Sequence, residues 1–267
     1  MKRGRVNGVT LAYEEAYGAG PPLVFVHGWC CDHTHFAPQF DHFRTRGRRV
    51  IAVDLRGHGA SEAPAGPYTM ATFADDLAAL IETTVGGKAV IVGHSMGGIV
   101  AFDLAVRRPE CVAAIAMVDA AVTLPPGVRE AIERMIGALA GPSYREAMRD
   151  FVRHALFMAT DDPARCAAIL ETMSATPQHV MHAAFTGLRD FDPDEGGRRL
   201  TVPGLYIAAN EPTPRADMGR LLALAPELMR GRTVGAGHFC QLEVPDQVNA
   251  MLDRFLALAA PPGPDRP

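Results

Sequence analysis

The chain has 267 residues, of which 48% are hydrophobic and 21% charged, close to the average of a soluble globular protein. This length suits one large α/β domain or two small ones, and the composition excludes a chain that is disordered throughout. The formal net charge of −4 excludes the basic surface expected of a nucleic-acid-binding protein.

The chain begins with two short extended segments joined by an Asn-Gly pair at residues 7–8, which predicts a tight hairpin turn. Five continuous apolar runs follow, each typical of a strand buried on both faces. They cover residues 23–26, 49–53, 89–92, 113–118 and 204–208, and a shorter sixth covers 232–234. Helical periodicity at 70–84, 97–108 and 246–258 separates several of these runs. This alternation predicts a mostly parallel sheet with helices on both faces.

The alternation of strands and helices stops between residues 121 and 200, where four helical segments and no strand are predicted. These segments cover roughly 128–140, 143–158, 162–174 and 178–189. We interpret 121–200 as a helical lid inserted into a core formed by residues 1–120 and 201–259. The Pro/Gly-rich tail 260–267 is expected to be disordered.

The cellular setting follows from three further features of the sequence. No run approaches the roughly 20 apolar residues of a membrane helix, and the start lacks the apolar core of a secretory signal. The five cysteines are odd in number and scattered, which argues against a disulfide framework. We therefore expect a cytoplasmic protein without membrane or nucleic-acid partners, whose oligomeric state the sequence leaves open.

The clearest chemical signal is the sequence Gly-His-Ser-Met-Gly-Gly at residues 93–98. It follows one predicted strand and opens a predicted helix, the context that the G-x-S-x-G nucleophile elbow requires. A sharp turn strains the Ser95 backbone, and the flanking glycines let neighbouring chains approach closely. Ser95 is therefore the candidate nucleophile, placed at a helix N-terminus that favours developing negative charge.

Two more histidine-containing motifs complete the candidate machinery. In His-Gly-Trp at residues 27–29, the glycine would let the backbone curl over Ser95, so that the amides of Trp29 and Met96 form an oxyanion hole. We expect His27 to be a structural residue that orients this loop. The Gly-Ala-Gly-His motif at 235–238 places His238 late in the chain, where an imidazole can serve as the general base.

With these motifs, nearly the whole chain resembles the α/β-hydrolase family, in the branch with a serine nucleophile and a helical lid. Further matching features are the run 54–61, Pro203, and Glu-Val-Pro at 243–245. The resemblance implies an α/β-hydrolase fold and serine acyl transfer without a metal or an organic cofactor. Serine at position 95, in place of aspartate, argues against the epoxide hydrolase and haloalkane dehalogenase branches, which attack through a carboxylate.

The chain departs from the family pattern at the third triad member. The usual position, a few residues after the strand at 204–208, reads Ala-Ala-Asn-Glu-Pro-Thr-Pro and contains no aspartate. Asp119 ends the preceding strand and is ranked first, narrowly ahead of Glu211, which lies nearest the usual position. Asp217 is third, because it is well placed to cap a helix.

The run Cys-Cys-Asp-His-Thr-His at 30–35 contains good zinc-ligand types, but its spacing matches no usual zinc site. We therefore predict no metal and no cofactor. Cys30, Cys31 and Cys240 are candidates to line the pocket.

The predicted activity is acyl-enzyme hydrolysis of a medium-sized, largely hydrophobic ester, lactone or thioester. The same Ser-His-acid set also supports a biosynthetic thioesterase, cyclase or lyase, C–C bond hydrolysis, hydroxynitrile lysis and perhydrolysis, since fold does not fix function. A small-molecule receptor with little turnover is the alternative outside enzyme chemistry.

Overall fold

The computed structural model describes residues 1–259, so the predicted disordered tail at 260–267 lies outside the described residues. Its centre is an eight-stranded sheet in the order β1-β2-β4-β3-β5-β6-β7-β8. The strands are β1 (Lys2–Val6), β2 (Val9–Ala16), β3 (Ala19–Val26), β4 (Arg48–Val53), β5 (Ala89–His94), β6 (Val112–Val118), β7 (Gly204–Ala208) and β8 (Met229–Arg232). The pairs β1–β2 and β2–β4 are antiparallel, and the other five pairs are parallel. The predicted mostly parallel sheet is thus confirmed.

The β1–β2 hairpin turns at the predicted Asn-Gly pair. Val6 pairs with Val9, and the two residues between them both have positive φ, 44° at Asn7 and 79° at Gly8. Such angles define the hairpin turn whose twist matches that of the flanking strands. The turn sequence therefore accounts for the register of these two strands.

Ten α-helices accompany the sheet in residues 1–259. They are α1 (Ala37–Arg44), α2 (Met70–Thr84), α3 (Met96–Arg107), α4 (Arg129–Leu139), α5 (Tyr144–Ala155), α6 (Pro163–Ser174), α7 (Gln178–Asp190), α8 (Met218–Leu224), α9 (Cys240–Glu243) and α10 (Pro245–Ala259). None of the helices in this part of the chain combines the length and apolar character needed to span a membrane.

Helices cover both faces of the sheet, and the side chains of β3 contact helices on each face. Leu23 and Phe25 belong to the cluster that includes residues of α1 and α10, whereas Val24 and Val26 belong to the cluster with α2 and α3. Successive side chains of a strand point to opposite faces, so a continuous apolar run fits a strand between two layers. Each such buried apolar side chain contributes roughly 1.5–3 kcal/mol relative to an exposed one.

The last strand differs from its prediction. It spans Met229–Arg232, whereas the apolar character of residue 234 placed it at 232–234. Val234 is 74% exposed, and pairing with β7 ends at the Ala208–Arg232 pair. The strand lies at the sheet edge, where charged residues are tolerated because one face and one hydrogen-bonding side remain open. The short run at 232–234 therefore predicted this strand too late in the chain, and only Arg232 is common to both segments.

Between β6 and β7 the chain forms only helices α4–α7 and a short 3₁₀ turn at Glu195–Gly197. This is the region where four helices and no strand were predicted. The helices contact one another and also α2 of the sheet layer.

Candidate active site

Ser95 lies in a strained turn between β5 and α3. Its backbone angles are φ 53° and ψ −120°, and its N–H donates to Val118 O over 2.9 Å. A positive φ is costly for a residue with a Cβ, and such strain persists only where the surroundings fix it. The geometry is that of the predicted elbow, with Ser95 immediately before the first residue of α3.

Two glycines allow this turn to exist. A Cβ at Gly93 would lie 2.1 Å from Gly97 O, and a Cβ at Gly97 would lie 2.1 Å from Val26 O. Both distances are far inside van der Waals contact, and the obstructing atoms are backbone atoms. Glycine is therefore required at both positions by close approach of the chain.

The candidate oxyanion amides belong to Trp29 and Met96. Gly28 brings its loop against the elbow, where an added Cβ would lie only 3.2 Å from the Ser95 Cβ. Among residues 1–259, neither the Trp29 amide nor the Met96 amide has a hydrogen-bond acceptor. Unpaired backbone donors beside a cavity are available to bind a negatively charged oxygen.

His27 is placed as a structural residue, as the sequence predicted. Its Nδ1–H donates to Gly28 O over 2.8 Å, and its Nε2 accepts from the Leu55 amide over 3.0 Å. Burial lowers the pKa of His27, so that the ring is neutral and can act as donor and acceptor at once. The imidazole therefore ties the Gly28 loop to the loop after β4.

His238 pairs with the first-ranked acid. Its Nδ1–H donates to Asp119 Oδ2 over 2.7 Å, and both side chains are 3% exposed. The opposite edge of the ring, Nε2, is left for other partners. A carboxylate on Nδ1 fixes the tautomer in which Nε2 can accept a proton.

Asp119 is held by backbone strain and by hydrogen bonds. It follows β6 with φ 46°, and its Oδ1 accepts from the Ala209 amide over 3.0 Å. Burial alone would raise the pKa of Asp119, but the hydrogen bond and charge of His238, with help from Arg215, hold that pKa below its usual value. Asp119 is therefore ionised at neutral pH.

Glu211 lies beside this pair but binds a different partner. One oxygen each of Asp119 and Glu211 and one nitrogen of His238 lie within 4.8 Å of one another, a grouping with the donor types of a metal site. However, Glu211 Oε2 forms a close ion pair with Arg215, whose Nε lies 3.5 Å from Asp119 Oδ2. The Arg215 guanidinium thus places a positive charge next to both carboxylates.

Asp217, ranked third as the acid, is not part of this cluster. Its side chain accepts from the Arg220 amide over 3.0 Å and caps the N-terminus of α8. Its backbone is joined in both directions to Thr123. The capping interpretation is confirmed, and it excludes Asp217 from the His238 site.

The Cys-Cys-Asp-His-Thr-His run forms local contacts. Asp32 caps the 3₁₀ helix His33–Phe36, and His33 binds Asp54 over 2.8 Å. Cys31 lines the cavity described below, whereas Cys30 and Cys240 do not. The prediction of a pocket-lining cysteine therefore holds for one of the three.

A cavity of about 670 Å³ opens over Ser95 and His238. Its lining is mainly apolar and comes largely from the helices between β6 and β7. It includes Leu124, Val128, Ile132, Phe151, Leu156, Phe157, Met158, Met173, Phe185 and Leu188. Trp29 packs against Phe185 with ring centroids 4.7 Å apart and ring planes tilted by 54°, and its Nε1–H donates to Met181 O over 3.0 Å. The side chain beside the candidate oxyanion amide is thus packed on the helices above it.

Two residues near the pair were missed by sequence reasoning. His94 donates from Nε2 to His238 O over 2.9 Å, and burial holds its pKa well below the ordinary value. Arg215 bridges Glu211, Asp119 and the Ala155 carbonyl. Because His94 lies inside the elbow motif, the sequence could have indicated that it is close to the site. Nothing in the sequence around Arg215 distinguishes it from the other arginines of the chain.

Comparisons with known proteins agree with this architecture. A family model described as the alpha/beta hydrolase family matches residues 23–251. The chain belongs to the α/β-hydrolase family. This confirms the predicted family, fold and type of enzyme.

Three relatives of this hydrolase illustrate the range of similarity. Pimeloyl-[acyl-carrier protein] methyl ester esterase of Xanthomonas axonopodis pv. citri is 27% identical over 91% of this chain and 98% of that protein. The enol-lactonase of Burkholderia xenovorans LB400 superposes with a TM-score of 0.85 at 26% identity, covering 96% of this chain and all of that one. The AB hydrolase superfamily protein YisY of Bacillus subtilis is 42% identical over 100 residues, but the alignment spans only 38% of this chain and 37% of YisY.

Proposed function

We propose that this hydrolase cleaves an ester, lactone or thioester of a medium-sized, largely hydrophobic small molecule through an acyl-enzyme on Ser95. The observation that carries the proposal is that one apolar cavity is lined both by Ser95, in its strained turn, and by His238, whose Nδ1 is bound to Asp119. A nucleophile and an oriented base in one cavity, with the unpaired backbone amides of Trp29 and Met96 close by, are the parts that acyl transfer requires.

The proposed reaction has two halves. Ser95 Oγ attacks the carbonyl carbon while His238 Nε2 takes the hydroxyl proton, and Asp119 stabilises the imidazolium without taking a proton itself. The amides of Trp29 and Met96 bind the oxyanion, each supplying a factor of about 10²–10³ in rate. His238 then gives its proton to the leaving oxygen or sulfur. In the second half it activates water, which releases the acid and restores the Ser95 hydroxyl.

The substrate class follows from the cavity and is supported by the relatives. About 670 Å³ of mainly apolar space fits a medium-sized hydrophobic acyl or alcohol group. One relative is named a methyl ester esterase and one neighbour an enol-lactonase, and both names describe cleavage of a carboxylic ester bond. Esters and lactones are therefore the first substrates to test.

We further assign helices α4–α7 the role of a lid, with 121–200 as its boundaries. Support comes from the cavity wall, to which α4, α5, α6 and α7 all contribute side chains. A lid of this kind excludes water from the reacting centre and sets the shape of the acyl site.

The test uses p-nitrophenyl acetate and p-nitrophenyl butyrate with the wild type, Ser95→Ala, His238→Ala and the double variant. We expect steady release of p-nitrophenol by the wild type and loss of nearly all turnover in each single variant. The double variant should be no slower than either single one, because the two residues act as a unit. Turnover that survives Ser95→Ala, or additive losses, would contradict the proposal. Tight binding of small molecules without turnover would favour the receptor alternative.

A further inference from the structure

The cluster around His238 contains two carboxylates, Asp119 and Glu211, whereas a catalytic triad needs only one. Asp119 already supplies the hydrogen-bond acceptor for Nδ1, yet Glu211 places a second carboxylate oxygen within 4.8 Å of a His238 nitrogen. Glu211 also lines the cavity, and its side chain is only 12% exposed. A second partly buried carboxylate is costly to keep beside the first unless it is balanced by a cation.

Arg215 supplies that balance. Its Nη2 binds Glu211 Oε2 and also donates to Ala155 O over 3.2 Å, while its Nε faces Asp119 Oδ2 at 3.5 Å without a hydrogen bond. The ion pair uses one oxygen of Glu211, and within residues 1–259 the other oxygen, Oε1, accepts no hydrogen bond. Glu211 is therefore anchored at one oxygen and free at the other.

We propose that Glu211 is a reserve positioning residue for His238, held off the imidazole by Arg215 and able to accept Nδ1–H through Oε1 when Asp119 is removed. This inference rests on the proposed triad. With Asp119 present, the Nδ1 proton is already taken at 2.7 Å, and Glu211 adds only its charge beside the imidazolium. Without Asp119, the Glu211 carboxylate, one oxygen of which already lies within 4.8 Å of a His238 nitrogen, is the nearest remaining acceptor for Nδ1–H.

Kinetics of four variants test the inference. Asp119→Ala should lower kcat by about 10²–10³, whereas Asp119→Ala combined with Glu211→Gln should lower it by about 10⁴, the loss expected when the ring has no correct acceptor. Glu211→Gln alone should cost less than about tenfold. The matched control combines Asp119→Ala with Glu227→Gln, an exposed glutamate away from the cavity, and should behave like Asp119→Ala.

A spectroscopic readout separates this inference from the proposed chemistry. The low-field proton NMR resonance of His238 Nδ1–H should persist in Asp119→Ala and vanish when Glu211→Gln is added, whether or not an ester is turned over. Equal kcat in Asp119→Ala and the double variant, with the resonance absent from both, would overturn the inference. If Asp119→Ala does not fold, Asp119→Gly with and without Glu211→Gln gives the same comparison, because glycine also vacates the position and tolerates the positive φ of residue 119. Turnover that survives Ser95→Ala would instead overturn the proposed function.

Discussion

Asp119 and His238 are 119 residues apart in the chain, and their side chains meet over 2.7 Å at the carboxyl edge of the sheet. Because Asp119 directly follows β6, a strand end rather than a long loop sets its position. Asp119→Asn should therefore lower kcat by about 10⁴, since an amide favours the wrong tautomer of the imidazole.

The comparison for this variant is Asp217→Asn, which changes the third-ranked candidate acid. Asp217 caps α8, and asparagine is nearly as good a cap, so both kcat and the melting temperature should change little. Circular dichroism confirms folding, and steady-state turnover gives kcat. Full activity of Asp119→Asn, or a large loss of kcat in Asp217→Asn, would contradict the assignment.

The elbow glycines give a prediction about packing. Gly97→Ala places a methyl group 2.1 Å from Val26 O and 2.5 Å from His27 O, so either the elbow or the loop that carries Trp29 must move. We expect loss of turnover with a lower melting temperature or insoluble protein. The control is Gly137→Ala in α4, where nothing lies within 4 Å of the added carbon. That change should leave turnover intact and stabilise the helix by about 0.5–1 kcal/mol. Wild-type activity and stability in Gly97→Ala would show that the elbow is looser than described.

The cavity wall gives a prediction about specificity. Phe185 is 5% exposed and packs on Trp29 and Phe151, with ring centroids 4.7 and 5.5 Å away. Phe185→Ala should enlarge the cavity and raise kcat/KM for p-nitrophenyl octanoate relative to butyrate, at a cost of about 3–5 kcal/mol in the free energy of unfolding.

A matched substitution separates cavity shape from stability. Phe43→Ala removes a similarly buried ring on the opposite face of the sheet, outside the cavity. It should destabilise the protein without changing the ratio of the two kcat/KM values. The lining described for the cavity is wrong if Phe185→Ala leaves that ratio unchanged, or if both variants shift it equally.

The pH dependence of the free energy of unfolding should report the titration of Glu243, which links the His238 loop to the segment between α5 and α6. Its carboxyl contacts Asp161 and accepts from the Gly237 amide over 3.3 Å, while Asp161 accepts from the Met158 amide over 2.8 Å. Burial, followed by the Asp161 carboxyl, raises the pKa of Glu243 from 4.5 to about 7.

The sign of the effect follows from proton binding. Because the folded state holds the proton more tightly than the unfolded chain, this group stabilises the fold fully below pH 4.5, and that stability is lost as the pH rises through 7. Glu243→Gln imitates the protonated form, so it should melt higher than the wild type at pH 8 and at a similar temperature at pH 5. Glu227→Gln, which is exposed, should follow the wild type throughout. Thermal melts across this range provide the check, and equal melting of Glu243→Gln and wild type at pH 8 would contradict it.

The sequence was sufficient to predict those parts of the fold whose geometry depends on neighbouring residues or on burial of a strand. The Asn-Gly turn, the apolar strands and the glycine-flanked Ser95 all follow from short-range backbone constraints and from burial on two faces. The edge strand β8 was placed wrongly because an edge strand need not be apolar.

The acid cluster was only partly predictable. Asp119 was ranked first because it ends a strand, but the sequence could not separate it from Glu211. Their roles depend on Arg215, which ion-pairs with one carboxylate and leaves the other to His238. Which carboxylate binds His238 therefore depends on tertiary packing between α5 and the loop after β7. A local sequence pattern contains no information about this packing.

The most direct test of the central claim is covalent labelling with a fluorophosphonate, followed by intact-mass measurement and peptide mapping. We expect a single adduct on Ser95 in the wild type, labelling slower by orders of magnitude in His238→Ala, and no adduct in Ser95→Ala. An adduct that maps to another residue, or labelling of Ser95→Ala at the wild-type rate, would contradict it.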